Sequence, residues 1–310
     1  MIVKKLIAIF LAVCLVMGLC ACSNAATPAD TTPAETEPAE NNPTTIRSIK
    51  ILAIGNSFSV DAMQHLYTVM KAEGVEEIVL GNLYIGGCPL DKHNANAKSG
   101  EKAYKYYKNT TGEWQTYPNM VSILEGIQDE EWDVITMQQG SAKSGVPESY
   151  EPDLTELIAF VQENKTNPDA KLYWHMTWAY QSDSDHSAFP NYGNNQNSMY
   201  LGIVNAMEQK VETIGAFEKI LPVGTAIQNA RSGFVGDTLT RDGFHLSDFG
   251  RAIAAYTWYA VLDGQPLRTI NVDKFATANL TDQQKKLMVE SINAAIANPH
   301  AVTQSQITTP

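Results

Sequence analysis

The 310-residue chain has only four cysteines, and three of them, Cys14, Cys20 and Cys22, fall within its first 22 residues. Cys88 alone serves the remainder, so no cysteine cluster at zinc-ligand spacing exists and a disulfide framework is excluded. Positive charge is also scarce. The 22 Lys and Arg residues stand against 34 Asp and Glu, for a net charge of −12. A surface of that sign argues against nucleic acid or anionic lipid as a substrate. It permits neutral substrates such as acylated sugars without selecting them. No internal repeat is visible, and the apolar run Leu6–Leu19 is too short and wrongly flanked for a permanent membrane span.

That run follows Lys4 and Lys5 and gives way to small residues, the three-part pattern of an export signal. The segment Leu19-Cys20-Ala21-Cys22 resembles the bacterial lipobox, in which cleavage before a cysteine is coupled to its diacylation. Cys22 fits better than Cys20, because Ala21 rather than bulky Leu19 would precede it. Several acyl chains on one residue suffice for stable anchoring. Residues 23–47 contain no aromatic residue and are rich in Pro, Thr, Ala and Glu, a composition that cannot bury a core. The expected organisation is a signal with its lipobox cysteine over 1–22, a disordered tether over 23–47, one catalytic domain over 48–300 and a flexible tail over 301–310. The protein is then exported and held to the extracytoplasmic face of the membrane through its lipid alone.

Within the catalytic part, apolar runs predict strands over Ile49–Ile54, Glu77–Ile85, Asp133–Met137, Lys171–Thr177 and Ile220–Val223. Helical spacing predicts Val60–Glu73, Tyr117–Ile127, Leu154–Glu163, Asn197–Thr213, Ser247–Leu262 and Asp282–Ala297. Strands alternating with helices imply parallel crossovers and a three-layer α/β/α sandwich around a mostly parallel five-stranded sheet.

Ligands of such sheets bind beyond the carboxyl ends of the strands. Gly55-Asn56-Ser57-Phe58-Ser59 lies there, between the first strand and a helix, so the Ser57 hydroxyl is exposed beside free backbone N–H groups. A serine at a helix start is equally at home as a plain cap. Arg241-Asp242-Gly243-Phe244-His245 supplies the complement. Asp at i and His at i+3 in a turn can meet, the carboxylate fixing the imidazole tautomer while the other ring nitrogen takes a serine proton.

ILAIGNSFS resembles the block that carries the nucleophile in SGNH (GDSL-like) hydrolases, and DGFHLSDFGR resembles their DxxH block. NLYIGGCPLDKH is similar to the glycine block after their second strand. The likeness extends over about residues 48–263. It is nearest to an SGNH-like subgroup that carries GNSFS, IGGC, QQ and DGxH together. The resemblance implies a flavodoxin-like sheet, no cofactor or metal, and hydrolysis of acyl esters by Ser57, Asp242 and His245. It also implies an oxyanion hole from the backbone N–H groups of Ser57 and Gly87. The family's Gly-x-Asn-Asp block, whose asparagine donates to the oxyanion, is absent. Met137-Gln138-Gln139-Gly140 stands in its place, and a glutamine amide is the same donor on a longer arm. Gln138, or else Gln139, is therefore expected in that role.

Asn56, Trp178 and Tyr180 are candidate substrate-binding residues, the last two as a sugar-stacking wall or as core. His93 is placed to line the cleft through its closeness to Gly87, whereas His65 has no partner spacing. Cys88 reads as a small packing residue. Asp183, Asp185 and His186 read as a solvated loop rather than a metal site. The expected activity is removal of a small acyl group, acetyl first, from carbohydrate. Two alternatives remain: a lipase or thioesterase of the same superfamily, and a carbohydrate-binding lipoprotein without catalysis.

Overall fold

The computed structural model describes residues 44–275 and 278–309. The expected export signal, the expected lipidation site Cys22 and the expected tether as far as residue 43 lie outside them. Seven strands form the main sheet: β1 (Ser48–Gly55), β2 (Glu77–Tyr84), β3 (Lys105–Asn109), β4 (Gln115–Thr116), β5 (Val134–Met137), β6 (Lys171–His175) and β7 (Lys219–Leu221). Their order is β4-β3-β2-β1-β5-β6-β7. β1 pairs in parallel with β2 and β5, β5 with β6, and β6 with β7. Those five strands follow the flavodoxin-like order, with β1 and β5 flanking the point where the winding reverses. β1 is buried without interruption from Ile51 to Gly55, as a strand covered on both faces must be.

The helices are α1 (Ser57–Met63), α2 (Leu66–Ala72), α3 (Leu90–Ser99), α4 (Ile123–Ile127), α5 (Asp153–Asn164), α6 (Gln196–Ala206), α7 (Val223–Arg231), α8 (Asp248–Asp263) and α9 (Asp282–Ala297). α3, α4 and α5 pack together as one group, and α1, α2, α7, α8 and α9 as another, which gives three layers. α8 is buried without a break from Ala252 through Val261. A short separate ladder pairs β8 (Lys274–Phe275) with β9 (Ala278–Asn279).

Four expectations need correction. The sheet has seven strands, because β3 and β4 extend it antiparallel beyond β2. The helix expected over Val60–Glu73 begins at Ser57 and breaks at Gln64–His65 into α1 and α2. The one expected over Tyr117–Ile127 occupies only Ile123–Ile127. It starts where Ser122 and Glu125 form a reciprocal capping box. Finally, the end of the chain is not a loose tail. Thr303 N donates to Asn229 Oδ1 at 2.7 Å, Ser305 N to Ser232 Oγ at 2.8 Å, and Phe234 N to the Ile307 carbonyl at 2.9 Å. Ser305 is buried, so these residues are part of the fold.

Candidate active site

Parallel pairing brings Gly55 opposite Tyr84 and Ile54 opposite Met137, so the segments after β1, β2 and β5 leave the sheet at one edge. Ser57 is the first residue of α1, and Asn56 caps the helix by accepting the Phe58 N–H at 2.9 Å. The strand turns into the helix within one residue. Only glycine allows this, since a Cβ at Gly55 would stand 2.5 Å from Ser59 Oγ and 2.8 Å from its Cβ. Ser57 is half-buried, and its hydroxyl has no hydrogen-bond partner among the described residues. As the first helical residue its N–H has no intrahelical acceptor either.

Asp242 and His245 meet as their spacing suggested. His245 Nδ1 donates to Asp242 Oδ2 at 2.7 Å, and the other carboxylate oxygen accepts the backbone N–H of His245 at 2.7 Å and of Phe244 at 3.2 Å. Partial burial works against the Asp242 charge, yet these hydrogen bonds prevail and hold the carboxyl below its ordinary range. With Nδ1 committed to the carboxylate, Nε2 is the basic nitrogen.

Two contacts join this pair to α1. The Phe58 ring, one residue beyond Ser57, lies edge-on to the His245 ring at 6.1 Å and is stacked on Trp178 at 4.1 Å. Trp178 Nε1 in turn donates to the Phe244 carbonyl at 2.7 Å. The second contact is Asp61, one helical turn after Ser57 and 1% exposed. It accepts the Leu246 N–H at 2.8 Å, Arg241 Nη1 at 3.0 and 3.1 Å, and Arg251 Nε and Nη2 at 2.9 and 2.7 Å. Arg241 Nη1 also donates to the Leu246 carbonyl. One carboxylate thus fastens α1 to both sides of His245 and to α8. Sequence reasoning passed over Asp61, although a lone acidic residue between Phe58 and Ala62 in a largely apolar helix was a signal.

The glycine segment after β2 folds back onto the turn that carries Ser57. Ile85 N donates to the Gly55 carbonyl at 3.4 Å, Cys88 N to the Ile85 carbonyl at 3.2 Å, and Asn56 Nδ2 to the Cys88 carbonyl at 3.1 Å. Gly87 takes a φ of 61° and is exposed, with no acceptor for its N–H among the described residues. Gly140 packs against this segment so closely that a Cβ there would meet the Gly87 carbonyl at 3.0 Å and the Cys88 carbonyl at 3.1 Å.

The glutamines are placed differently from the expectation. Gln138 is 1% exposed and donates Nε2 to Asn56 Oδ1 at 2.9 Å, while its Oε1 accepts His175 Nδ1 at 2.9 Å. Gln139 accepts the N–H groups of Leu90 and Gly140 and donates to Ser149. The Gln139 amide is committed to the protein, and Gln138 gives an N–H to orient Asn56. His175, fully buried with a pKa lowered by desolvation to about 3, is the neutral end of this chain of hydrogen bonds. Asn56 is likewise 1% exposed, so it positions the turn instead of meeting substrate.

Trp178 and Tyr180 form no sugar-stacking wall. Both are fully enclosed, and the Tyr180 hydroxyl is bonded to Ser141 Oγ at 2.9 Å. His93 does not line the cleft: it is buried beside Tyr104, its Nδ1 2.9 Å from the phenol oxygen, and desolvation lowers its pKa to about 3. Burial raises the Cys88 thiol to about 12, so it carries no thiolate at neutral pH. Among the described residues no group of three or more His, Cys, Asp and Glu side chains could hold a metal ion. Nor is any of their helices long and apolar enough to cross a membrane.

The fold and this edge define a doubly wound α/β protein with a serine-bearing helix start, an Asp–His pair and a glycine turn at the carboxyl ends of its strands. The chain belongs to the DUF4886 family, a domain of unknown function, whose profile matches residues 50–291. It is similar to a DUF4886 family protein from Bacteroides uniformis of known crystal structure, with 38% identity and a TM-score of 0.78, over 84% of this chain and all of that one. A candidate SGNH hydrolase from Slackia heliotrinireducens aligns at 21% identity and a TM-score of 0.49, over 69% of this chain and 99% of the other. An acetylxylan esterase from Geobacillus stearothermophilus aligns at 12% and 0.46, over 70% and 94%. No curated protein matches the chain.

Proposed function

We propose that the protein is a serine esterase that removes small acyl groups, acetyl first, from carbohydrate outside the cytoplasm. The reading rests above all on the Asp242–His245 pair, hydrogen-bonded at 2.7 Å and fastened through Asp61 and Phe58 to the helix that begins at Ser57. In the first step His245 Nε2 takes the Ser57 proton as Oγ attacks the ester carbonyl. The carbonyl oxygen gains negative charge, which the Ser57 and Gly87 N–H groups are free to receive. The C–O bond then breaks, the alcohol leaves with the proton held on His245, and an acyl-Ser57 ester remains. Water activated by His245 attacks that ester, releasing the carboxylic acid and restoring the serine. The chemistry calls on no cofactor.

The test is hydrolysis of p-nitrophenyl acetate. Ser57→Ala and His245→Ala each lose activity by about 10³-fold or more while remaining folded, because the groups act as a unit. Asp242→Asn costs less than either, since the histidine remains. A Ser57→Ala protein with the wild-type rate overturns the mechanism. Export and lipid anchoring at Cys22 form part of the same proposal. Cys22→Ala protein then appears outside the membrane fraction or keeps its signal, and wild-type protein with an unlipidated, different N-terminus refutes it.

A further inference from the structure

A recess of about 250 Å³ lies beside the nucleophile helix, lined by Val60, Gln64, Asn82, Tyr107, Trp114 and Thr116. We infer that it holds a neutral sugar ring of the alcohol part of the substrate; this inference rests on the esterase reading above.

Three observations connect the recess to Ser57. Ser57, Val60 and Gln64 are spaced i, i+3, i+7, so they share one side of α1 and its C-cap. The floor is a lateral row across the sheet edge, Asn82 paired with Tyr107 and Tyr107 with Thr116, whose side chains share a face. Tyr84 lies at the same sheet edge as both. It is paired with Gly55, its ring centre lies 5.7 Å from that of Tyr107, and its hydroxyl would be 3.3 Å from a Cβ on Gly86. The Ser59 hydroxyl, donating to the Asn56 carbonyl at 2.8 Å and lying 3.0 Å from Asn82 Oδ1, fixes the floor to the nucleophile turn.

The lining selects the occupant. The Gln64 amide and the Tyr107 and Thr116 hydroxyls have no hydrogen-bond partners among the described residues, so they are available to sugar hydroxyls. Tyr107 and Trp114 add aromatic area with polar edges, which suits the mixed C–H and O–H faces of a sugar ring. A fatty acyl chain in the same space would cover those three polar groups without pairing them, which disfavours it. None of the six lining residues is charged, and the chain is acidic overall, so an anionic sugar gains nothing there. The volume lies below the ~300–1,000 Å³ typical of sites for drug-sized ligands, which limits the occupant to about one ring.

The hairpin β3–β4 therefore makes substrate specificity, and its variants change a ratio of activities. Acetylated xylotriose, cellotriose and mannotriose are compared with p-nitrophenyl acetate, which has no sugar to place. For the best trisaccharide, Gln64→Ala and Tyr107→Phe each lower the kcat/KM ratio over p-nitrophenyl acetate by roughly tenfold, through KM. Equal losses on both substrates, or none, overturn the inference. Binding is measured separately by titrating the three deacetylated trisaccharides into folded Ser57→Ala protein. Binding of one of them that is lost in Ser57→Ala/Trp114→Ala, but kept in a Ser57→Ala variant altered at exposed Leu201, supports the recess even if the esterase reading fails. If wild-type protein hydrolyses p-nitrophenyl acetate but Ser57→Ala binds no trisaccharide, the recess inference falls and the esterase reading stands.

Discussion

A carboxylate that is 1% exposed is costly unless every oxygen is filled, and Asp61 fills its own with two guanidinium groups and a backbone N–H. Arg241 and Arg251 can reach water, at 41% and 20% side-chain exposure, but Asp61 cannot. Asp61→Asn keeps the shape, removes the charge and turns an amide N–H₂ toward a guanidinium. Stability is expected to fall by about 3–5 kcal/mol, the usual consequence of breaking a buried pair. The more telling measurement is kinetic, made at low temperature where the variant is folded. There kcat drops by about tenfold or more with KM little changed, because His245 shifts relative to Ser57. Wild-type kcat in the folded variant would remove Asp61 from any positioning role. The contrast with the proposed triad explains what the sequence could reveal at this scale. Ser57, Asp242 and His245 sit in short strings whose chemistry is local, so pattern alone singled them out as candidates. Asp61 draws its meaning from Leu246 and Arg251, 185 and 190 residues away, and no spacing encodes that.

At the scale of elements, the five parallel strands were legible because each is a short, largely apolar run, buried on both faces in the centre of the sheet, as in Val134–Met137. β3 was not. Lys105-Tyr106-Tyr107-Lys108-Asn109 buries Tyr106 and Asn109 while presenting lysines near the sheet edge, a polar pattern that reads as loop. α3 was missed because Asp91, Lys92, Asn94, Asn96 and Lys98 leave it no apolar face. The end of β5 was located correctly, but the direction of Gln138 depended on Asn56 and His175, which come from two other strand ends. Its consequence is testable. Gln138→Ala leaves His175 Nδ1 buried without an acceptor, so unfolding in urea should show a loss of about 1–3 kcal/mol. Turnover falls with it, as Asn56 no longer holds Cys88 and the helix cap in register. Full stability combined with a kcat loss of about 10²–10³-fold would instead mark Gln138 as a direct donor to the reacting carbonyl.

For the whole molecule, buried histidines couple folding to pH. Desolvation lowers His93 and His175 to about 3 and His65 to about 4, the last against the pull of Asp248. In the unfolded chain each titrates near its ordinary value of about 6.5. Above that pH neither state binds the protons, and the full stability is present. As pH falls below 6.5 the unfolded chain takes up protons that the folded one refuses, so stability is lost down to the folded values. His93 and His175 alone give a slope approaching about 3 kcal/mol per pH unit once the unfolded residues are fully protonated. Glu73 opposes this, because burial raises its carboxyl above the usual 4.5 and the folded state gains a proton there first. It is one carboxyl set against three histidines, so the net effect from pH 6.5 to 5 is still a loss of stability. Asp242, held low by its hydrogen bonds, adds a further loss only as pH drops below about 3.8. Urea unfolding at pH 7.5, 6 and 5 is the measurement, with a midpoint that drops steeply between the last two. His175→Asn cannot take up that proton when unfolded, so its curve should be flatter by about one proton's worth even though the variant starts less stable. A wild-type stability that is level from pH 7.5 to 5 would mean that the folded protein protonates these rings, and that they are not sealed in the core.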